Sequence, residues 1–543
     1  MIKKTIITIF SFLVMSNFAL SAEYFISPQG SDWNNGESKL KPFKSFKQAF
    51  SDITAGDTLW LMDGDYSEKN KTGVLRDVGS YGEKLVYSAA IPSGKSKLEP
   101  TIIKSINPGN VRIHEVKHVR KGRGAPLYIG RSRRKDQYIH IEGIIFEGGG
   151  SLSNSSHITI KNSGFHGGLS IGDSSHYNGN SYNLIEDVWI WTRNVRIAAS
   201  NYRSHFNVWR RVIIKVEGCD FRGCNDGPKG KQDPSVGFTV YDSHNVSVQN
   251  VIVIDRELGN AISYGDFATA QHTSGDASYL PDHISGEDFF LANNEWLGCI
   301  SINSVDNAFN SEADFIAHNK NILNIQNFVA IHPKKGGITI SNTPYNNKKN
   351  SHFTVENASV FIDDNHKKNK GYGVYFSPEL GDVITMNNIL VTNANIGINA
   401  PSKSDNINIT SRKSMFHKYS SGCGNKCLSL DPFKTKPVSV KYPLRIEKNS
   451  KLYNSGHNKK PIGATVMQRY GISNSRYGDK NYNQLTKEAL WPWPNEELIL
   501  NEFCKKTTVG ICDKSKTDLS GKPYTISTYI WESLGSKSPK DFK

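Results

Sequence analysis

The stretch NVSVQNVIVID, Asn245–Asp255, alternates apolar with polar residues and is punctuated by Asn and Asp. A period of two residues is that of a strand with one buried face. The theme returns in YIHIEGIIFEGG (138–149), SHITIKNSGFHGG (156–168), YNLIEDVWIW (182–191) and FNVWRRVIIKV (206–216). Beyond it come HFTVENASVFID (352–363), VITMNNILVTN (383–393) and NINITSRKSMF (406–416). Where the runs lie closest they recur at roughly 20–25 residues, the length of one solenoid coil. No helical pattern separates them, so a βαβ sheet is excluded. A sandwich or propeller accounts less well for the Asn-rich corners and the coil-length period. The sequence therefore predicts an all-β chain, a right-handed parallel β-helix over residues 23–430 including an N-terminal cap, and a C-terminal extension over 431–543 that packs on it as a strap.

A solenoid end exposes sheet edge and core unless covered. The segment from Glu23 to Tyr66 supplies a cover. Phe46, Ala49, Phe50 and Ile53 fall on one face of a short amphipathic helix that starts at Ser45, and Gly56 stops it before a strand at Thr58–Met62. In the extension, Trp491, Trp493 and Trp531 read as a hydrophobic strap closing the last coil rather than as a sugar-stacking platform.

The chain opens MIKKTIITIFSFLVMSNFALSA, with a cationic start, an apolar run and small residues at Ala19, Ser21 and Ala22. That is the pattern of a signal peptide over 1–22, too short to span a bilayer, so the expected location is secreted or periplasmic, with no membrane partner. Seven cysteines in an exported chain suggest disulfides. Local spacing pairs Cys219 with Cys224, Cys423 with Cys427 and Cys504 with Cys512, and leaves Cys299 alone; the alternative for each is a buried free thiol. Histidines do not accompany the pairs at zinc-ligand intervals. The formal net charge is +15, of which Lys3 and Lys4 contribute two. A basic exported protein points to an acidic polysaccharide as partner and away from nucleic acid. A monomer is expected.

The cap pattern YFISPQGSDWNNG, then PF, a helix and GDTLWLMDGDY, resembles secreted right-handed β-helix proteins of the pectate-lyase-like superfamily. The tail MQRYGISNSRYGDKNYNQLTKEALWPWPNEELI, followed by TISTYIWESLG, is similar to tails of poorly characterised bacterial members. The resemblance covers most of the chain and implies a polysaccharide lyase-like protein that degrades carbohydrate such as a bacterial exopolysaccharide. It implies fold more strongly than reaction.

β-Elimination needs the uronate carboxylate neutralised, a base for the C5 proton and a proton for the leaving oxygen. Strand alternation puts Val212, Ile214 and Val216 inward and Arg211, Ile213 and Lys215 outward, Arg211 and Lys215 about 13 Å apart. Arg196 and Tyr241 read as outward on neighbouring strands. The expected site is an open basic groove: Lys215 as base, Arg211 and Arg196 as carboxylate binders, Tyr241 as acid. Lys229 and Lys231 overhang it from a loop fastened by Cys219–Cys224. The alternative for each cation is a solvated face. His205 and His244 read as corner residues, and His272 lies near the same region. No cofactor is certain; Ca²⁺ is the possible one, with Asp220, Asp226 and Asp233 as oxygen ligands, but their irregular spacing matches no calcium loop and favours turn residues.

Two other functions use the same fold. A glycoside hydrolase needs paired carboxylates. The adjacent pair Asp363–Asp364 lies in DDNHKKNKGYG, His166–Gly167 comes too early, and the RIK of β-helix polygalacturonases is missing. The DPHD of alginate epimerases is missing too, and VWIWT (188–192) lacks the Asp-His pair of one pectate-lyase family. A glycan-binding matrix or export protein would use the groove without a base.

Overall fold

The computed structural model describes residues 21–534 apart from 77–84, 117–123, 131–134, 173–179, 194–196, 218–235, 242, 256–264, 272–291, 305–306, 315–320, 344–351, 363–370, 378–382, 393, 400–407, 413, 417–418, 421–426 and 429–455. The expected signal peptide lies almost wholly outside them. Among the described residues no helix is long and apolar enough to cross a membrane.

The chain is a right-handed parallel β-helix. From Thr101 to Ser420 each coil passes through three sheets, and each strand pairs in parallel with its equivalents one coil away. In Asn245–Asp255 the strand Ser247–Gln249 pairs with Val208–Arg210 before it and Glu295–Leu297 after it. Ile252–Ile254 pairs with Ile213–Lys215 and Ile300–Ile302. These are the first and second sheets. The long strands Leu184–Arg193 and Val208–Glu217 run through both. The third sheet runs from Leu127–Ile129 through Ile197–Tyr202 and Val236–Tyr241 to Ile396–Asn399 and Tyr419–Ser420.

The corner between the first two sheets is a single residue in the left-handed region. Asn162, Asn250, Asn327, Asn357 and Asn388 hold it with φ of 48–57°, a conformation asparagine tolerates better than other side chains. Asp187 and Arg211 take the same position in two successive coils. The amides also bond along the stack, Asn388 Nδ2 donating to Asn357 Oδ1 at 3.0 Å. The Asn-rich punctuation of the sequence is this ladder.

The cap helix spans Phe46–Asp52, and the Ser45 hydroxyl accepts from the Gln48 amide. Phe46 and Ala49 are fully buried and Ile53 nearly so, while Phe50 packs partly exposed against the core. Asp32 accepts from the amides of Lys44 and Ser45 and from the Ser45 hydroxyl, at 2.8–3.0 Å. Gly30 is required beside it, because a Cβ there would meet the Phe43 carbonyl oxygen at 2.1 Å. The GSD motif therefore fastens the loop to the start of the helix.

Two apolar clusters result. One fills the coil interior and includes Trp209, Val212, Ile214, Val216, Val248, Val251 and Val253. The other lies outside the second sheet, where Trp189, Ile213, Ile252, Ile254, Ile300 and Ile302 meet Trp491, Trp493, Phe503 and Trp531 of the tail. The tail aromatics are a strap, as expected, but they cover the flank of the middle coils instead of closing the last one. The row of outward isoleucines on the second sheet gives them an apolar surface to bury. Cys504–Cys512 is a disulfide inside the tail. Cys299 is a buried free thiol, its pKa pushed up to about 12 by burial. Cys219, Cys224 and Cys423 lie outside the described residues, and of Cys427 only its place in a strand is described.

Candidate functional site

The expected groove on Arg211 and Lys215 is not an open surface. Alternation holds, since Ile213 faces away from the coil interior. That outer side is where the tail docks, and Lys215 and Arg211 are 0 % and 1 % exposed. Arg211 sits at the left-handed corner and pairs with Asp187 at 2.6 Å and Glu186 at 2.9 Å, and it also donates to Ser473 of the tail. The Lys215 Nζ lies 3.5 Å from both Glu217 and Asp255. Asp255 in turn accepts from the Ile511 amide and the Tyr529 hydroxyl of the tail. These cations hold the tail, so the open groove read from alternation is corrected to a closed interface. Exchanging Lys215 for Met should lower the melting temperature by several degrees, because two buried carboxylates lose their counter-ion. Turnover per folded molecule should not change; a loss of turnover at full stability would restore Lys215 as a candidate base.

Tail hydrogen bonds and ion pairs among the described residues go to the first two sheets and their corners. On the outer face of the third sheet no described tail residue makes such a bond, and its register stacks one row of polar positions, half-buried at Tyr128, Ser151, Ser170 and Ser200 and only 7–8 % exposed at Thr239, Asn310 and Thr339. Tyr128, Ser151, Ser170, Ser200 and Thr239 align across five strands. Ala268 interrupts the row on the next strand, and Asn310, Thr339, Tyr375 and Asn399 continue it from two coils on. Two residues along, Tyr202 pairs with Tyr241, their rings stacked at 5.0 Å with planes 11° apart. The guanidinium of Arg203 sits over the Tyr202 ring at 5.0 Å. Small hydroxyl side chains form a low floor, with a pair of aromatic rings and a cation at one side.

The corner under these tyrosines is fixed from inside. Asn201 is fully buried, donating to the Ser204 carbonyl at 2.7 Å and to the Ser243 hydroxyl at 3.0 Å. Its Oδ1 accepts from Asn207 and from the Trp209 indole. Buried amides of this kind hold one geometry, because a shift would leave them unpaired. His205 and His244 stack at 5.2 Å beside the network. Burial lowers their pKa values to about 3 and about 4, so they are neutral corner residues, as the sequence suggested. Of the expected site, Tyr241 is thus half-buried on the outer face of the third sheet, and Arg196, Lys229, Lys231 and His272 lie outside the described residues. So do Asp220, Asp226 and Asp233. Sequence reading missed Tyr202, Arg203 and the hydroxyl row; the signal was a small polar residue at the same step of each third run.

Glu147, His166 and Glu502 bring their donor atoms within 4.8 Å of one another, a group that can hold a metal ion. Three cations already serve it: Arg112 contacts both carboxylates, Lys505 lies 2.7 Å from Glu502 and Lys506 2.9 Å from Glu147. Burial alone would raise the Glu502 carboxyl, but His166, Lys505 and Arg112 hold it at about 2. A donor set so compensated fits a docking network for the helix Glu496–Cys504 better than it fits a cation.

No protein-family model and no curated protein matches the sequence. Among solved structures the chain is similar to pectate lyase Pel9A at 15% identity, covering 82% of this chain and 96% of that one, with a TM-score of 0.43. It is similar to an alginate lyase from Paenibacillus sp. str. FPU-7 at 13% identity, covering 66% and 95%, with a TM-score of 0.33. It is also similar to the catalytic domain of an α-1,3-glucanase in complex with nigerose at 14% identity, covering 68% and 66%, with a TM-score of 0.40. The likeness is one of architecture.

Proposed function

We propose that the protein is an exported lyase that cleaves a uronate-containing polysaccharide by β-elimination on the outer face of its third sheet. The observation that carries this reading is the division of the surface: the tail occupies the first two sheets, and the third keeps a polar row beside the stacked Tyr202–Tyr241 pair. Stacked rings offer an apolar face to sugar C–H groups, and phenol oxygens remain polar. In the elimination a base takes the C5 proton, the C4–C5 double bond forms, and the C4–O bond breaks. Tyr241 donates the proton to the departing oxygen. Arg203, with Arg196, Lys229 and Lys231, supplies the positive charge that neutralises the carboxylate and makes the C5 proton acidic.

A surplus of 66 Lys and Arg over 51 Asp and Glu favours side-chain cations over calcium for that task. Activity should therefore persist in excess chelator, and abolition by chelator with rescue by Ca²⁺ would reverse the assignment. The test of the function is ultraviolet absorbance of the unsaturated uronate, followed on pectate, alginate, glycosaminoglycans and bacterial exopolysaccharides. A hydrolase is the second reading, because the backbone register places Glu312 in the row of Tyr241 with Asp314 two residues on, and hydrolysis needs two carboxylates. New reducing ends without absorbance would select it. Binding with neither product would select a glycan-binding protein.

A further inference from the structure

A cavity of about 510 Å³ lies on the other side of the coil, between the first sheet and the tail. That volume is within the range of ligand sites. Its floor is Glu295 and Leu297 of one strand and Asn324 and Gln326 of the next, with Asn327 and Asn357 at the corner and Tyr470 and Asn483 above. The tail is drawn tightly to the sheet on either side of it. The Ala464 amide donates to the Ser359 hydroxyl at 2.8 Å, and the Tyr470 amide donates to Asn250 Oδ1 at 2.7 Å. The space is therefore held open between two tight contacts and is not slack packing.

Its chemistry is that of amides with spare capacity. Gln326 donates to Asn324 Oδ1 at 3.3 Å, and Asn388 donates to Asn357 Oδ1. Among the described residues this leaves Asn324 Nδ2, Asn357 Nδ2 and Gln326 Oε1 without a partner in the protein, two donors and one acceptor lining one space. The charges nearby are already settled. Lys460 at the rim pairs with Glu356 at 3.2 Å. Glu295 accepts from the Ser247 hydroxyl and, at 3.1 Å, from Asn483, and its burial raises its pKa. Leu297, Leu485 and the Tyr470 ring add apolar surface. Spare amide donors and acceptors against an apolar patch match vicinal hydroxyls and the C–H face of a sugar ring. Among the described residues the one cation lining the cavity, Lys460, is already paired with Glu356, and a carboxylate ligand would face Glu295.

We infer that this cavity is a second saccharide site, separate from the third-sheet face, and that it takes an uncharged sugar. It gives the protein a holding point for a neutral unit of a polysaccharide whose charged units are handled elsewhere on the coil.

The test is titration of the purified full chain, by ligand-observed NMR and calorimetry, with neutral hexoses, 6-deoxyhexoses and N-acetylhexosamines, and with glucuronate and galacturonate. At least one neutral sugar is expected to bind in preference to both uronates. The double variant Asn324→Ala, Gln326→Ala should weaken that binding about tenfold or more, the loss of one to two hydrogen bonds. Its melting temperature should stay unchanged, because among the described residues the two side-chain amides bond only to each other. Tyr202→Ala should leave the neutral sugar's affinity unaltered, which separates this cavity from the third-sheet face. No binding by any neutral sugar, stronger binding of a uronate, or binding that survives the double variant would each overturn the inference. Lyase activity is read by a separate assay, so either idea can fail without the other.

Discussion

Glu186→Ala is expected to destabilise the protein by about 3–5 kcal/mol, the cost of removing one partner from a buried ion cluster. Glu186 is fully buried and stands 3.0 Å from Arg210, 2.9 Å from Arg211 and 3.2 Å from Lys161, and it accepts from the Asn474 amide. Arg211 would keep Asp187. Arg210 would keep neutral partners alone, in Gln249, Ser475 and the carbonyls of Ile472 and Tyr482. The alanine variant therefore leaves a buried guanidinium uncompensated at the place where the tail is anchored. The denaturant midpoint measures the effect, and limited proteolysis tells whether the tail leaves before the coil melts. A change under about 1 kcal/mol, the worth of an exposed pair, would mean that water reaches the cluster. The pH dependence has a definite sign. Burial alone would raise the Glu186 carboxyl, but Arg211, Arg210 and Lys161 outweigh it and hold the pKa at about 2. A lowered folded-state pKa gives stability that is complete above the unfolded value of about 4.3 and is lost as pH falls towards 2. Glu502 also lies at about 2 and also holds the tail. Acid should then release the tail over that window, and Glu186→Ala should remove part of the dependence.

The fold was legible because it rests on short-range signals. Asn162, Asn250, Asn327, Asn357 and Asn388 announce corners by residue type alone, since few side chains accept positive φ. The inward set Val212, Ile214 and Val216 follows from parity. The error at Arg211 and Lys215 came from treating every outward residue as solvent-facing. The runs VIIKV, VIVI and CISI carry apolar residues at both parities, the pattern of a strand covered on both faces. Read so, Ile213, Ile252, Ile254, Ile300 and Ile302 would have called for a cover and put Lys215 under it. What no local pattern reveals is which part of the chain provides that cover. Trp491 and Trp531 are more than two hundred residues from Ile213, and their meeting is a property of the folded chain. The hydroxyl row on the third sheet was hidden for a related reason. Ser151, Ser170, Ser200 and Thr239 are unremarkable singly and become a surface through register alone.

Tyr241→Phe is expected to reduce turnover on an acidic polysaccharide about a hundredfold or more, the usual weight of a proton-transfer group. The loss should appear in kcat with KM nearly unchanged, because phenylalanine keeps the ring that stacks on Tyr202 at 5.0 Å and removes the hydroxyl alone. Tyr202→Ala should do the reverse, weakening substrate binding with a smaller effect on kcat, since it takes away half of the stacked surface and the seat of Arg203. Neither residue lies in the buried network of Asn201, Ser243 and Trp209, so both variants should fold with near-native melting temperatures. The pair of results is what separates chemistry from adhesion. A face that only binds glycan would show matched losses of affinity for both variants and no product. A lyase using another acid would leave Tyr241→Phe fully active. A hydrolase centred on Glu312 and Asp314 would tolerate Tyr241→Phe and lose reducing-end production on replacement of either carboxylate. The two tyrosines hold the same register position one coil apart but differ by one step of the proposed reaction, and a split between kcat and KM would assign that step to Tyr241.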